Sequence, residues 1–268
     1  MHMPASLARG QFLRLRGDLF MSGNQKRLLL LLSIFSLTFG VTANVSAMHI
    51  MEGYLPGTYC ITWGIICLPF LAAGFFSIKK RLAETPKALP LFAMAGAFIF
   101  VISSLKIPSV TGSCSHMTGT GLGAILFGPW VVSILGLIVL LFQAILLAHG
   151  GLTTIGANTF SMAIAGPFVS YGIYVLCKKI RVPHKASIFL AAALGDLFTY
   201  CVTAIQMALA HHGSAGFPAA LGKFLAVFAP TQIPLAVIEG LLTVLIVAGL
   251  ENYARPELRS IGFLKEDK

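Results

Sequence analysis

The chain has 268 residues, 57% of them hydrophobic and only 10% charged, with a mean hydropathy of +0.87 and a net charge of +10. A water-soluble domain usually carries about 25% charged residues, so this composition excludes an ordinary soluble fold and makes lipid the natural solvent. The basic residues lie in short clusters between apolar runs, which argues against a nucleic-acid-binding patch and fits the loops of a membrane protein.

In chain order, Lys26 and Arg27 precede an apolar run at 28–39, and Val45-Ser46-Ala47 follows it. A basic segment, an apolar core and a small-x-small site in that order describe a secretory signal. The apolar run is shorter than the roughly 20 residues of a spanning helix. Cleavage between Ala47 and Met48 is therefore expected, the alternative being an uncleaved membrane helix extending to Ala47. Residues 1–47 read as an extension plus signal peptide, with Met21 able to start a signal of ordinary length. Residues 48–268 read as one membrane-embedded domain.

The apolar segments that follow are 55–78, 88–105, 121–148, 155–177, 187–210 and 218–250. Each is long enough to cross a bilayer, and helix satisfies backbone groups that an exposed strand edge would leave unpaired in lipid. The predicted fold class is all-α, a polytopic membrane helix bundle. Lys79-Lys80-Arg81 with Lys87, Lys178-Lys179-Arg181 with Lys185, and the tail with Arg255, Arg259, Lys265 and Lys268 should share the cytoplasmic side. A mature amino terminus outside and a cytoplasmic carboxyl terminus then demand an odd number of crossings. Seven is expected if Gly128-Pro129 splits 121–148 in two; five plus a re-entrant segment is the fallback.

The chemistry concentrates in two places. A free amine at Met48 followed by His49 is a chelator: the Met48 amine, the His49 amide and the His49 Nδ1 offer three nitrogens in one plane. Such tetragonal coordination suits nickel(II) and copper(II), and low-spin cobalt(II) can adopt it. The predicted external loop, small and hydroxyl-rich, ends in Ser113-Cys114-Ser115-His116. It is placed to present His116 as the fourth nitrogen. Cys114 is either a ligand or a packing residue, since thiolate favours softer sites. None of the five cysteines forms a Cys-x-x-Cys pair, so a disulfide framework is not expected.

Met48-His49-Ile50-Met51-Glu52-Gly53, the run from Leu105 to His116, and Leu126-Phe127-Gly128-Pro129 resemble the CbiM family. So do Leu140-Leu141-Phe142-Gln143-Ala144, His149-Gly150-Gly151-Leu152-Thr153-Thr154-Ile155-Gly156-Ala157-Asn158, Thr231-Gln232-Ile233-Pro234 and Glu239-Gly240-Leu241-Leu242-Thr243. CbiM proteins are the substrate-capture subunits of energy-coupling-factor cobalt importers, which supply cobalt for cobalamin biosynthesis. The resemblance implies metal ligands at Met48, His49 and His116. Weaker cavity candidates, read from the residues themselves, are Ser113, Cys114 and Ser115 beside the loop histidine, and His149 with Asn158, which line the cavity or brace the loop. It implies a location in the cell inner membrane. It also implies separate partners: a small CbiN-like membrane subunit, a CbiQ-like coupling subunit and CbiO-like ATPases. The family usually has proline after the loop histidine, where this chain has Met117.

No Gly-x-x-x-x-Gly-Lys-Ser/Thr pattern occurs, so ATP hydrolysis is not expected of this chain, and it reads as a transporter subunit rather than an enzyme. The expected cargo is Co2+, with Ni2+ as the alternative within the same mechanism. A reading of another class is a membrane metalloenzyme or haem redox protein using His116, His149 and His211. Asp196 and Glu239, inside apolar segments, are either functional or paired for packing. His211-His212 should be interfacial. Ala93 and Ala97 have small-xxx-small spacing that packs helices within the chain or against a partner, and Gly119, Gly121 and Gly123 should let helices approach closely.

Overall fold

A computed structural model describes residues 49–108 and 114–264. The signal and cleavage site, Met48 and Ser113 lie outside the described residues, as does the side chain of Cys114. Helix α1 (Gly57–Glu84) opens at Pro56, whose carbonyl accepts the amides of Tyr59 and Cys60. It stops at Thr85, held extended before Pro86. Helix α2 (Ala88–Ser104) leads into a two-residue antiparallel ladder, β1 (Ile107–Pro108) with β2 (Cys114–Ser115), in which Ile107 faces Ser115. Then come α3 (Thr120–Phe127), α4 (Pro129–Leu147), α5 (Ile155–Lys179), α6 (His184–Ala210), α7 (Phe217–Tyr253) and the short α8 (Arg255–Ser260). Residues Thr159–Ala165 of α5 are π-helical.

Among the described residues, five helices, α1, α4, α5, α6 and α7, are long and apolar enough to cross a membrane, and α2 is a shorter apolar helix of 17 residues. The break expected at Gly128-Pro129 is present. Gly128 takes φ 84°, which favours glycine, and Pro129 starts α4, where its missing amide costs nothing. The 8 residues of α3 rise only about 12 Å, less than half of a bilayer core. At the far end of α3, Phe127 and Gly128 share a cleft with Arg81, Lys178 and Gly262, so both basic loops and the tail meet at one end of the bundle.

The bundle has apolar clusters inside, as a soluble protein does, but it also exposes large apolar side chains and encloses many polar ones. Ile61, Phe75, Phe76, Leu146 and Leu245 point outward, whereas Ser103, Gln143, Ser170, Gln206, Gln232, Asp196 and Glu239 are enclosed. Helix α6 is central, with 61% of its most apolar stretch buried, and α1 is peripheral, with 11%. With lipid outside, apolar area gives helices little reason to associate, so close backbone approach and interhelical hydrogen bonds hold the bundle. A Cβ on Gly121 of α3 would lie 2.9 Å from Ala192 Cα of α6, and one on Gly136 of α4 only 2.5 Å from Ala163 Cβ of α5. Gly121 and Gly123 therefore do bring helices together, while Gly119 is required by its own φ of 68°. Ala93 and Ala97 are exposed and line an outward apolar cleft with Phe75 and Ile138. Gly121→Val should destabilise the bundle by about 1–3 kcal/mol through overpacking, whereas Gly172→Ala, with open space around it, should stay within about 0.5. Thermal unfolding in detergent checks both.

Candidate metal site

Three stretches of non-helical backbone converge at the end of the bundle opposite the basic clusters: 49–56, 105–108 with 114–119, and 148–154. Irregular backbone inside a membrane bundle must find its hydrogen bonds from side chains. For the first stretch Asn158 of α5 does this by mimicking a strand. Its Nδ2 donates to the Ile50 carbonyl at 3.0 Å while its Oδ1 accepts the Ile50 amide at 2.8 Å. Thr154 Oγ1 also donates to the Ile50 carbonyl, and the Thr153 amide donates to Glu52 Oε2. The pair Gly150-Gly151 lets the segment lie this close. A Cβ on Gly151 would sit 2.6 Å from the Glu52 backbone nitrogen, and Gly150 has φ 83°. Beside the π-helical turn, Gln206 donates to the Ala157 carbonyl.

The loop after β2 is held by α6 and α7. Glu239 accepts the amides of Thr118 at 2.6 Å and Gly119 at 3.0 Å, together with the Thr118 hydroxyl. Asp196 also accepts the Thr118 amide and is itself bonded by Gln232 Nε2 at 2.6 Å. Tyr200 donates to the His116 carbonyl, and Ser115 Oγ meets Thr231 Oγ1 at 2.6 Å.

These two anchored segments place three buried imidazoles together. His49 Nδ1 lies 2.8 Å from His116 Nε2 and 3.1 Å from His149 Nε2, and all three ligand atoms fall within 4.8 Å of one another. His116 Nδ1–H donates to the Met117 carbonyl at 2.9 Å, so its Nε2 carries the lone pair. A neutral His49 Nδ1 has one proton or one lone pair and cannot serve both neighbours. Nitrogens crowded in this way could together hold a cation. Burial drives the imidazoles from protonation: His116 down to about 4, His149 down to about 2, and His49 well below its ordinary range. Loss of water is the largest cause at each. The neighbouring His116 and His149 add to it at His49, and Lys106 opposes further positive charge at all three. The group thus keeps its lone pairs at neutral pH, as metal binding requires.

His49 and His116 are therefore adjacent, and His149, ranked below them in the sequence, is within the same cluster. Asn158 braces the amino-terminal segment rather than the loop. Ser115 is pinned to Thr231 of α7. Met117 contributes a backbone carbonyl, and the carboxylates of Asp196 and Glu239 hold the following residues in place. Thr118, Thr154, Tyr200 and Gln206 were missed by sequence reasoning; for Tyr200 and Gln206 the available signal was a polar side chain inside an apolar segment. His211 is elsewhere: its Nε2 meets the Tyr54 carbonyl at 2.7 Å, so the grouping of His116, His149 and His211 does not form. The cavity bounded by His49, His116, Ser161, Thr199 and Thr203 is about 10 Å³, room for one water and far too small for a haem.

Comparison with known proteins agrees with a transition-metal site. A family model described as "Cobalt uptake substrate-specific transmembrane region" matches residues 49–258. The cobalt transport protein CbiM of Lachnoclostridium phytofermentans is 66% identical over 245 residues, covering 91% of this chain and 98% of that protein. That of Chlorobium limicola is 59% identical over 222 residues, covering 82% and 87%. A crystal structure of a truncated transition metal transporter superposes with a TM-score of 0.68 at 29% identity, covering 76% of this chain and 99% of that one.

Asn158→Ala should lower metal affinity by about 10–100-fold, because it unlatches Ile50 and with it His49. Titration of purified protein with Co2+ measures the loss. For pH, the folded imidazoles have pKa values below the ordinary 6.5. As pH falls below 6.5 the unfolded chain takes up protons that the folded one refuses until about 4 at His116. The metal-free protein should therefore melt at a lower temperature at pH 5 than at pH 7.5, and His116→Phe should shrink the difference.

Proposed function

Because the chain belongs to the CbiM family, the substrate-specific transmembrane region of cobalt uptake, we propose that it captures Co2+ for an ATP-driven energy-coupling-factor importer that supplies cobalamin biosynthesis. The ligands are the Met48 amine freed by signal cleavage, the His49 amide and Nδ1, and His116 Nε2. The observation that carries this reading is the 2.8 Å separation of His49 Nδ1 from His116 Nε2, with the His116 tautomer fixed by the Met117 carbonyl. Adjacent donors about 2.0 Å from one ion in a square plane stand about 2.8 Å apart. Ser113, Cys114, Ser115, His149 and Asn158 surround or support this set.

The domain crosses the inner membrane seven times, α3 and its preceding loop making one passage, with the mature amino terminus and metal site outside and the carboxyl terminus in the cytoplasm. The convergence of the basic loops and the tail at one end supports this orientation. A small CbiN-like subunit, a CbiQ-like coupling subunit and CbiO-like ATPases complete the importer. The thermodynamic logic of release follows from the anchors. His49 rides on α5 through Asn158, and His116 rides on α6 and α7 through Tyr200, Asp196 and Glu239. Motion of α5 against that pair withdraws one of four donors and opens the site. Ni2+ is the second reading, because the same planar nitrogens suit it.

His49→Ala and His116→Ala should each abolish cobalt uptake by cells while the protein remains in the membrane fraction. Full uptake by both variants overturns the assignment. Mass spectrometry of the functional protein should find Met48 as its first residue; material that still carries earlier residues rules out the amine ligand.

A further inference from the structure

His149 makes one ring hydrogen bond among the described residues, between its Nε2 and His49 Nδ1, while its Nδ1 is buried without a partner. That single bond uses His49 Nδ1, the nitrogen whose lone pair the ion takes in the proposed site. When the ion enters, both nitrogens of a ring that is 1% exposed lose their partners unless Nε2 turns to the ion. The two distances from His49 Nδ1 fit that outcome. His116 Nε2 stands 2.8 Å from His49 Nδ1, the spacing of neighbouring donors in a plane, whereas His149 Nε2 stands at 3.1 Å. A donor above the plane on a longer bond of about 2.3–2.4 Å lies about 3.1 Å from an in-plane nitrogen.

We propose that His149 Nε2 is an apical fifth ligand of the bound ion and biases the site toward Co2+ over Ni2+. The proposal rests on the planar nitrogen set of the preceding section and adds a residue to it. The two ions differ in their response to such a donor. Low-spin Ni2+ in a plane of four nitrogens has a filled orbital along the perpendicular axis and gains little from a fifth ligand. Low-spin Co2+ has that orbital half-filled and binds a fifth nitrogen readily. The contrast between the histidines matches the two roles. His116 has its tautomer fixed by the Met117 carbonyl and is a permanent donor. His149 has nothing fixing Nδ1, so its one proton can reside on Nδ1 when Nε2 binds the ion. The ring stays neutral and no proton is gained or lost.

The test is carried out on the full mature protein purified in detergent, loaded with Co2+ or Ni2+ alone. His149→Ala and the smaller change in shape His149→Gln are compared with the unmodified protein. Both variants should still bind one ion, and the Co2+ form should change its visible absorption and electron paramagnetic resonance spectra from five-coordinate to four-coordinate, losing the hyperfine splitting from an axial nitrogen. The ratio of Co2+ to Ni2+ affinity should fall about tenfold, and mostly through Co2+. Unchanged Co2+ spectra in both variants, or equal loss of both ions with unaltered spectra of what remains bound, overturn the proposal. A failure of the underlying site has a different signature: full binding by His49→Ala and His116→Ala.

Discussion

Three stretches of non-helical backbone enter the interior of this bundle, where water is scarce and every amide and carbonyl needs a partner. Their partners are side chains projected from the surrounding helices. Asn158 pairs with both backbone groups of Ile50, and Glu239 collects the successive amides of Thr118 and Gly119. An unpaired buried donor or acceptor costs about 1–3 kcal/mol, so each stretch is held to a narrow set of positions. The imidazole geometry is a consequence of that requirement. His49 and His116 are fixed because the residues beside them are.

The division of anchors gives the site a seam. The terminal segment belongs to α5, and the loop belongs to α6 and α7. The imidazoles meet across the seam, so an ion bound there would join the two parts of the bundle. The π-helical turn Thr159–Ala165 begins right after Asn158, and such turns mark departures from regular helix at functional positions. It places Ser161 and Met162 along the small cavity beside His49 and His116.

The same logic explains why so many polar residues lie inside. In a CbiM-family protein surrounded by lipid, apolar side chains face outward at little cost, and the interior is free to hold the hydroxyls, amides and carboxyls that order the loops. Glycine at the crossings, as at Gly121 and Gly136, lets the helices come close enough for those side chains to reach their targets. Burial then strips the imidazoles of water and keeps them neutral, which is the form that binds metal.

Read alone, the sequence determined the solvent, the fold class, the apolar segments, the helix break at Gly128-Pro129 and the pairing of His49 with His116 as candidates. Each follows from local composition: hydropathy over twenty residues, the backbone limits of glycine and proline, or the nitrogens that a residue type can offer. It ranked His149 below His116, left Asp196 and Glu239 open between function and packing, and did not single out Tyr200 or Thr118. Those matters were decided by contacts between residues about 80 to 120 positions apart, as between Thr118 and Glu239 or Tyr200 and His116. A hydrogen bond has a direction and a reach of about 3 Å, and only the packed helices determine which side chains come within it.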